Sequence, residues 1–129
     1  MPSSLDETFA LIRDDINKLL AVKPELLGQA RPPDVFGVYM LLVGDEVMYV
    51  GEAKGRKGLR DRLLSKHISG DDSHAIQRAY EEEFPDRGLR REHIRKTVLA
   101  RWLPISEPAQ VSAVERVLIW LYNPPWNQK

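Results

Sequence analysis

Apolar residues recur at helical spacing near the start of the chain. Leu5, Phe9, Ile12, Ile16, Leu19 and Leu20 share a face, and Ser4 stands three residues ahead of Glu7 as in a capping box. The spacing predicts an amphipathic helix from about Leu5 to Val22, ended by Pro24. Pro32 and Pro33 then make the stretch from Gly28 to Asp34 a linker that is neither helix nor central strand. Beyond it the period changes. Phe36 to Val43 is mostly β-branched, aromatic or aliphatic, and a second such run, Val47 to Val50, follows Gly44-Asp45-Glu46, which predicts a β-hairpin. Gly58 opens a basic segment running to His67, with Leu59, Leu63 and Leu64 as its apolar stripe. Ser73 is placed to cap a helix from His74 to Glu83, with Ile76, Ala79 and Tyr80 inward and Phe84-Pro85 as its stop. A short basic helix follows from Leu89 to Lys96. Val98, Ala100 and Trp102 alternate with Thr97, Leu99 and Arg101, so Thr97 to Leu103 reads as a third strand. A last helix, capped by Ser106 with Pro108 in its first turn, carries Val111, Val114, Leu118 and Leu121 on one face and ends at Asn123-Pro124-Pro125-Trp126.

This order predicts an α+β fold: a small three-stranded antiparallel sheet flanked by helices, with an extra N-terminal helix. Residues 1–34 form that helix and a Pro-rich linker, and residues 35–129 the working body, all within a single compact domain. With 129 residues, 43% of them apolar, the chain can bury one real core. No internal repeat or low-complexity tract interrupts it.

Charge and cysteine content narrow the function classes. Nineteen Lys+Arg balance nineteen Asp+Glu, so net charge gives no general attraction to polyanions. There is no cysteine, which excludes a disulfide framework and leaves any metal site to His and carboxylates. The first four residues lack the pattern of a secretory signal, and the longest nearly apolar run, Val35 to Val43, is too short to span a bilayer. The expectation is a soluble, cytoplasmic protein without a membrane partner. Locally the charge departs from neutrality: residues 52–67 hold six basic against two acidic side chains, and residues 87–101 six against one. Such runs read first as solvated helical faces, and they also suit phosphate contacts.

A set of spaced motifs adds to this. Gly37-Val38-Tyr39 is followed after nine residues by Tyr49-Val50-Gly51, then by Leu59-Arg60-Asp61-Arg62-Leu63 and His67, by Glu115 within Val114-Glu115-Arg116-Val117-Leu118-Ile119, and by Pro124-Pro125-Trp126-Asn127. In order and distance these blocks resemble the GIY-YIG nucleases: the paired tripeptides, the basic helix, the helical metal-binding glutamate and the closing asparagine. The resemblance covers about residues 35 to 127. It implies a divalent-metal-dependent endonuclease, using Mg²⁺ or Mn²⁺, that cuts DNA to leave a 5′-phosphate and a 3′-hydroxyl, RNA not being excluded. Tyr39, Tyr49, Arg62, His67, Glu115 and Asn127 would form the catalytic set, with Glu115 on the metal. Gly51, Lys54, Arg60, Lys66, His74 and Arg78 would contact substrate. The oligomeric state is open, a homodimer being one arrangement suited to double-strand cuts.

The chemistry of the residues agrees. Phosphodiester hydrolysis needs a water activator, a cation against developing charge and a stabilised leaving group. Tyr39 and Tyr49 lie on the neighbouring strands of the predicted hairpin; taken singly, each also reads as a core aromatic with a satisfied hydroxyl. A free tyrosine, with a pKa near 10, is a poor base and needs a nearby cation. The resemblance implies that a tyrosine activates water, and Tyr39 is the favoured one. Arg62 offers a rigid, permanently charged fork for the scissile phosphate, with Arg60 as its competitor. His67 would relay a proton or simply sit exposed at a helix end, and it lies five residues from Arg62, one more than expected of relatives with this histidine. Glu115, inside an apolar helix, must be paired, hydrated or metal-bound if that face is buried, and one carboxylate with waters and substrate oxygens is a common way to hold Mg²⁺. Asn127 would hydrogen-bond near the tyrosines and fix the tail. Glu52 departs from the family pattern, in which a basic or small residue often follows the second tripeptide; pairing with Lys54 is one way to absorb its charge. A module that keeps the fold and binds nucleic acid without cutting it is the alternative, and would need a broken motif.

Overall fold

The computed structural model describes residues 4–66 and 75–127. Helix α1, Leu5–Ala21, begins at Ser4, whose side chain accepts the Glu7 backbone N–H at 3.1 Å. Asp6 and Glu7 in its first turn and Lys18 in its last complement the helix dipole. After Pro24 the chain forms a two-residue strand, β1, Glu25–Leu26, and a 3₁₀ turn, Leu27–Gln29. The hairpin strands are β2, Gly37–Val43, and β3, Glu46–Ala53. Helix α2, Gly58–Arg60, widens into a π-helical stretch over Asp61–Lys66. Helices α3, Ala75–Tyr80, and α4, Arg87–Thr97, precede strand β4, Leu99–Pro104, and helix α5, Pro108–Tyr122. A 3₁₀ turn, Pro125–Asn127, follows.

The sheet is antiparallel, with order β1-β4-β2-β3. It therefore has four strands rather than the expected three. The addition is β1, which pairs Glu25 with Ala100 and Leu26 with Leu99. Two residues are too few to show a strand period, so nothing in the pattern separated them from the linker. The linker itself starts within a helical turn, since Gly28 lies inside the 3₁₀ segment.

Helices cover both faces of the sheet, and that explains why β2 reads as an unbroken apolar run. On one face Tyr39, Leu41, Ala53 and Ala100 pack with Leu59 and Leu63 of the α2 segment, Ile76 of α3 and Ile94 of α4. On the other, Val38, Met40, Leu42 and Val50 pack with Leu19 of α1 and Val111, Val114 and Leu118 of α5. A register shift between Leu41 and Leu42, which pair with Tyr49 and Val47, leaves Met48 as an extra residue. This bulge puts Val47 with the second core while Tyr49 stays with the first; a regular strand would place both on one side.

Several expectations shift. Thr97 belongs to α4 rather than to the third strand, because the Val98 N–H still closes onto the Ile94 carbonyl at 3.0 Å; at the other end Asp86 accepts the Leu89 N–H at 2.9 Å and starts α4 earlier than its apolar pattern suggested. The residue preceding α5 is Glu107, without a side-chain cap, in place of Ser106. Leu121, expected inward, is 64% exposed. The predicted Ser73 cap lies outside the described residues, and α3 ends at Tyr80, short of Glu83.

Candidate active site

Tyr39 and Tyr49 are brought together by register. Tyr39 pairs with Gly51 and Leu41 with Tyr49, so the tyrosines are diagonal neighbours on one face, with ring centroids 6.1 Å apart. Gly51 makes this possible: a Cβ there would collide with the Tyr39 ring and hydroxyl and meet Tyr49. The glycine is buried beneath the two rings it makes room for, so its contribution to a ligand site is that space.

Arg62 reaches both hydroxyls from the π-helical segment and donates hydrogen bonds to them. Single-turn π-segments widen a helix and often mark functional positions. Burial opposes the Arg62 charge, but the two tyrosine oxygens outweigh it and hold the guanidinium above its ordinary pKa. Its Nε–H is buried with no hydrogen-bond partner among the described residues. An orphaned donor of this kind costs about 1–3 kcal/mol unless a ligand oxygen satisfies it.

Tyr39 is fully buried. Burial first, then the Tyr49 oxygen, push its hydroxyl far above its ordinary value of 10, against the pull of Arg62. Tyr49 is only partly buried. The sequence preference for Tyr39 as the water activator thus meets a physical obstacle: its hydroxyl is the one cut off from solvent.

Glu115 lies on α5, one turn beyond Val111 and beside the buried Val114 and Leu118. Burial, then the Glu52 carboxylate, raise its pKa from 4.5 to about 7, while Arg116, Lys54 and Arg62 pull it down. Glu52 pairs with Lys54 at 3.1 Å, the partner the sequence offered it. Ser112, on the same helix as Glu115, accepts from Lys54 Nζ at 2.7 Å and donates to Glu52 Oε2 at 3.2 Å. A half-buried carboxylate raised this far, with a second one nearby, suits a divalent cation with few protein ligands; no group of three or more His, Cys, Asp or Glu stands ready as a closed metal site among the described residues.

Asn127 clips the edge of β3. It accepts the Val50 N–H and donates to the Val50 carbonyl, both at 2.8 Å. Because β3 is an edge strand, these groups would otherwise face solvent next to Tyr49. Asn127 fixes the tail, as expected, and touches backbone, which makes it a positioning residue.

No family model matches the sequence, and no curated protein matches it. Solved structures do. The GIY-YIG N-terminal endonuclease domain of UvrC from Thermotoga maritima, bound to magnesium as its catalytic divalent cation, is 21% identical, covering 91% of this chain and 96% of that one at a TM-score of 0.50. Two point mutants of that domain, each bound to its catalytic divalent cation, are 19% identical over 92% and 96% of the chains at the same TM-score. The chain has the GIY-YIG fold.

On this GIY-YIG framework the structure brings Tyr39 and Arg62 within electrostatic range of Tyr49 and of Glu115, with Asn127 bonded to the backbone of Val50 next to Tyr49. His67 and His74 lie outside the described residues, and the Lys66 side chain is likewise not described. Arg60 is exposed, its closest acidic neighbour being Asp34 at 4.0 Å. Arg78 is exposed on α3. Lys54 is engaged by Glu52 and Ser112 instead of standing open.

Within the second basic run Arg90 and Arg101 serve the fold, while Arg87, Arg95 and Lys96 are exposed. Arg90 is 2% exposed and donates to the Phe84 and Pro85 carbonyls and to Gln77 Oε1 at 2.9, 3.0 and 3.1 Å. Lys96 pairs with Glu92 at 2.9 Å, and Arg101 donates to the Leu20 carbonyl at 2.8 Å, tying α1 to β4. A charge run in sequence does not reveal which of its members turn inward. Ser112 escaped the sequence reading, although its position three residues before Glu115 puts it on the same helical face.

Proposed function

We propose that this chain is a divalent-metal-dependent endonuclease that hydrolyses phosphodiester bonds in nucleic acid, DNA being the favoured substrate, and leaves a 5′-phosphate and a 3′-hydroxyl. The observation that carries this reading is the Arg62 fork. It is pinned to two tyrosine hydroxyls with one N–H left over, in electrostatic range of a carboxylate that burial holds near neutrality.

Arg62 would hold the scissile phosphate, its orphaned Nε–H finding an oxygen acceptor there, and offset charge as it grows on the phosphorane. Tyr49, the more accessible hydroxyl, would accept the proton from the attacking water, with Tyr39 and Arg62 fixing its orientation. Glu115 would hold Mg²⁺ or Mn²⁺. When bound, the cation supplies Lewis-acid stabilisation of the phosphate and leaving oxygen. Asn127, through the Val50 backbone, would keep Tyr49 at the height the attack requires. Exposed Arg60 and Arg78 would follow the phosphate backbone.

Labelled single-stranded, double-stranded and branched DNA, and RNA, incubated with Mg²⁺, Mn²⁺ or EDTA test the proposal. Metal-dependent cleavage is expected, abolished in Glu115→Ala and reduced at least about 100-fold in Tyr49→Phe. Intact substrate under every metal, with the protein folded, would refute it.

A further inference from the structure

The acidic residue that follows Tyr49-Val50-Gly51 sits in an arrangement that a surface ion pair does not need. Glu52 Oε1 is 3.1 Å from Lys54 Nζ, the same ammonium donates to Ser112 Oγ at 2.7 Å, and that hydroxyl donates back to Glu52 Oε2 at 3.2 Å. Ser112 and Glu115 are one turn apart on α5, so the Ser112–Glu52 hydrogen bond holds Glu52 of β3 against the turn of α5 that carries Glu115. The Lys54 ammonium is therefore a tethered monovalent cation, held by oxygen atoms from both elements beside the candidate metal carboxylate.

Two carboxylates drawn together are costly unless a cation lies between them or close by. An exposed Lys–Glu pair contributes about 0–1 kcal/mol, too little to explain placing a second negative charge against a half-buried one. Lys54 follows Ala53, the last residue of β3, and its side chain is 38% exposed, which leaves it room to move out. Mg²⁺ and Mn²⁺ demand oxygen ligands near 2 Å and gain from added negative charge, a demand an ammonium at about 3 Å does not meet.

We propose that Glu52 is a second carboxylate for the divalent cation, alongside Glu115, and that Lys54 is its displaceable counter-ion, neutralising Glu52 until the metal arrives. The inference rests on the metal-dependent reading of the site.

Binding of Mn²⁺ alone, followed by electron paramagnetic resonance and by calorimetry, tests it without reference to catalysis. Glu52→Gln is expected to weaken Mn²⁺ binding about tenfold or more. Lys54→Met and Ser112→Ala are expected to tighten it several-fold, because the internal cation is removed or released. Glu115→Gln is expected to abolish it. Circular dichroism in EDTA checks that each variant is folded, and Ser112→Ala, which changes no charge, covers the case in which Glu52→Gln misfolds. If Glu115→Gln abolishes binding while Glu52→Gln, Lys54→Met and Ser112→Ala all bind as the parent does, Glu52 is only a salt-bridge partner and the inference is overturned. If the parent protein binds no Mn²⁺ at all, the metal-dependent reading falls, and this inference with it.

Discussion

Glu115→Gln is the substitution whose effect the structure constrains most closely. Glutamine keeps the shape of the side chain and removes its charge. In the folded protein the Glu115 carboxyl titrates at about 7 against an ordinary 4.5, because burial and then Glu52 disfavour the charged form. At ~1.4 kcal/mol per tenfold change in proton affinity this corresponds to ~3 kcal/mol of destabilisation at high pH. Partial exposure and salt screening reduce it to about 1–2 kcal/mol. The sign follows from the upward shift. Below about 4.5 the carboxyl is neutral in folded and unfolded chains and costs nothing; between 4.5 and 7 the unfolded chain ionises first and stability falls; above 7 the whole penalty is present. The metal-free glutamine variant should therefore match the parent near pH 4 and exceed it by about 1–2 kcal/mol at pH 8.5, roughly 3–8 °C in Tm for a chain of this size. Magnesium should reverse the order, since at 100 times its Kd it adds ~2.7 kcal/mol to the parent alone. Urea titrations at the two pH values, with EDTA or Mg²⁺, measure all four quantities. A variant no more stable than the parent at pH 8.5, or one stabilised equally by Mg²⁺, would refute the placement of Glu115.

Further predictions follow from the packing. Asn127→Ala removes both hydrogen bonds to Val50 and should cost about 1–3 kcal/mol in urea unfolding, with a larger loss in kcat than in KM if Tyr49 is displaced. Gly51→Ala drives a methyl group into the Tyr39 ring and should cost about 1–3 kcal/mol, visible as a lowered Tm and altered tyrosine fluorescence. Arg90→Met should destabilise by about 2–4 kcal/mol, because Gln77 and two carbonyls lose a buried donor, while leaving the salt dependence of DNA binding unchanged. Arg60→Ala should do the opposite, leaving Tm within about 1 °C and reducing the slope of log K against log salt by about one.

The sequence carried the parts of this molecule that repeat or have a fixed spacing. Ser4 with Glu7, the hairpin, and Val111, Val114 and Leu118 on the apolar face of α5 involve local patterns and appear in the structure as coherent elements, and the spaced motifs place Tyr39, Tyr49, Arg62 and Glu115 on the strands and helices expected of them. What escaped depends on contacts distant in sequence. Strand β1 exists only because Leu99 and Ala100 offer it partners, and Arg90 turns inward only because Phe84, Pro85 and Gln77 present acceptors. The preference for Tyr39 over Tyr49 could not be tested by spacing, because the strands place both on one face and only the covering helices decide which hydroxyl meets water. The hairpin bulge at Met48 was hidden for a related reason: it changes register without changing composition.

The clip between Asn127 and Val50 also bears on the order in which the molecule is made. Its partners are 77 residues apart, so Tyr49 leaves the ribosome long before the amide that will steady its strand. At the usual pace of synthesis the delay is on the order of 4–15 s. During that interval the hairpin can pair and the tyrosines can stack, but the outer edge of β3 has no amide to close it and Glu115 is also still to come. A growing chain thus presents the tyrosine pair before the carboxylate and the amide that join it, so the candidate site is assembled only after Glu115 and Asn127 have been made, well after the motifs of the hairpin have appeared.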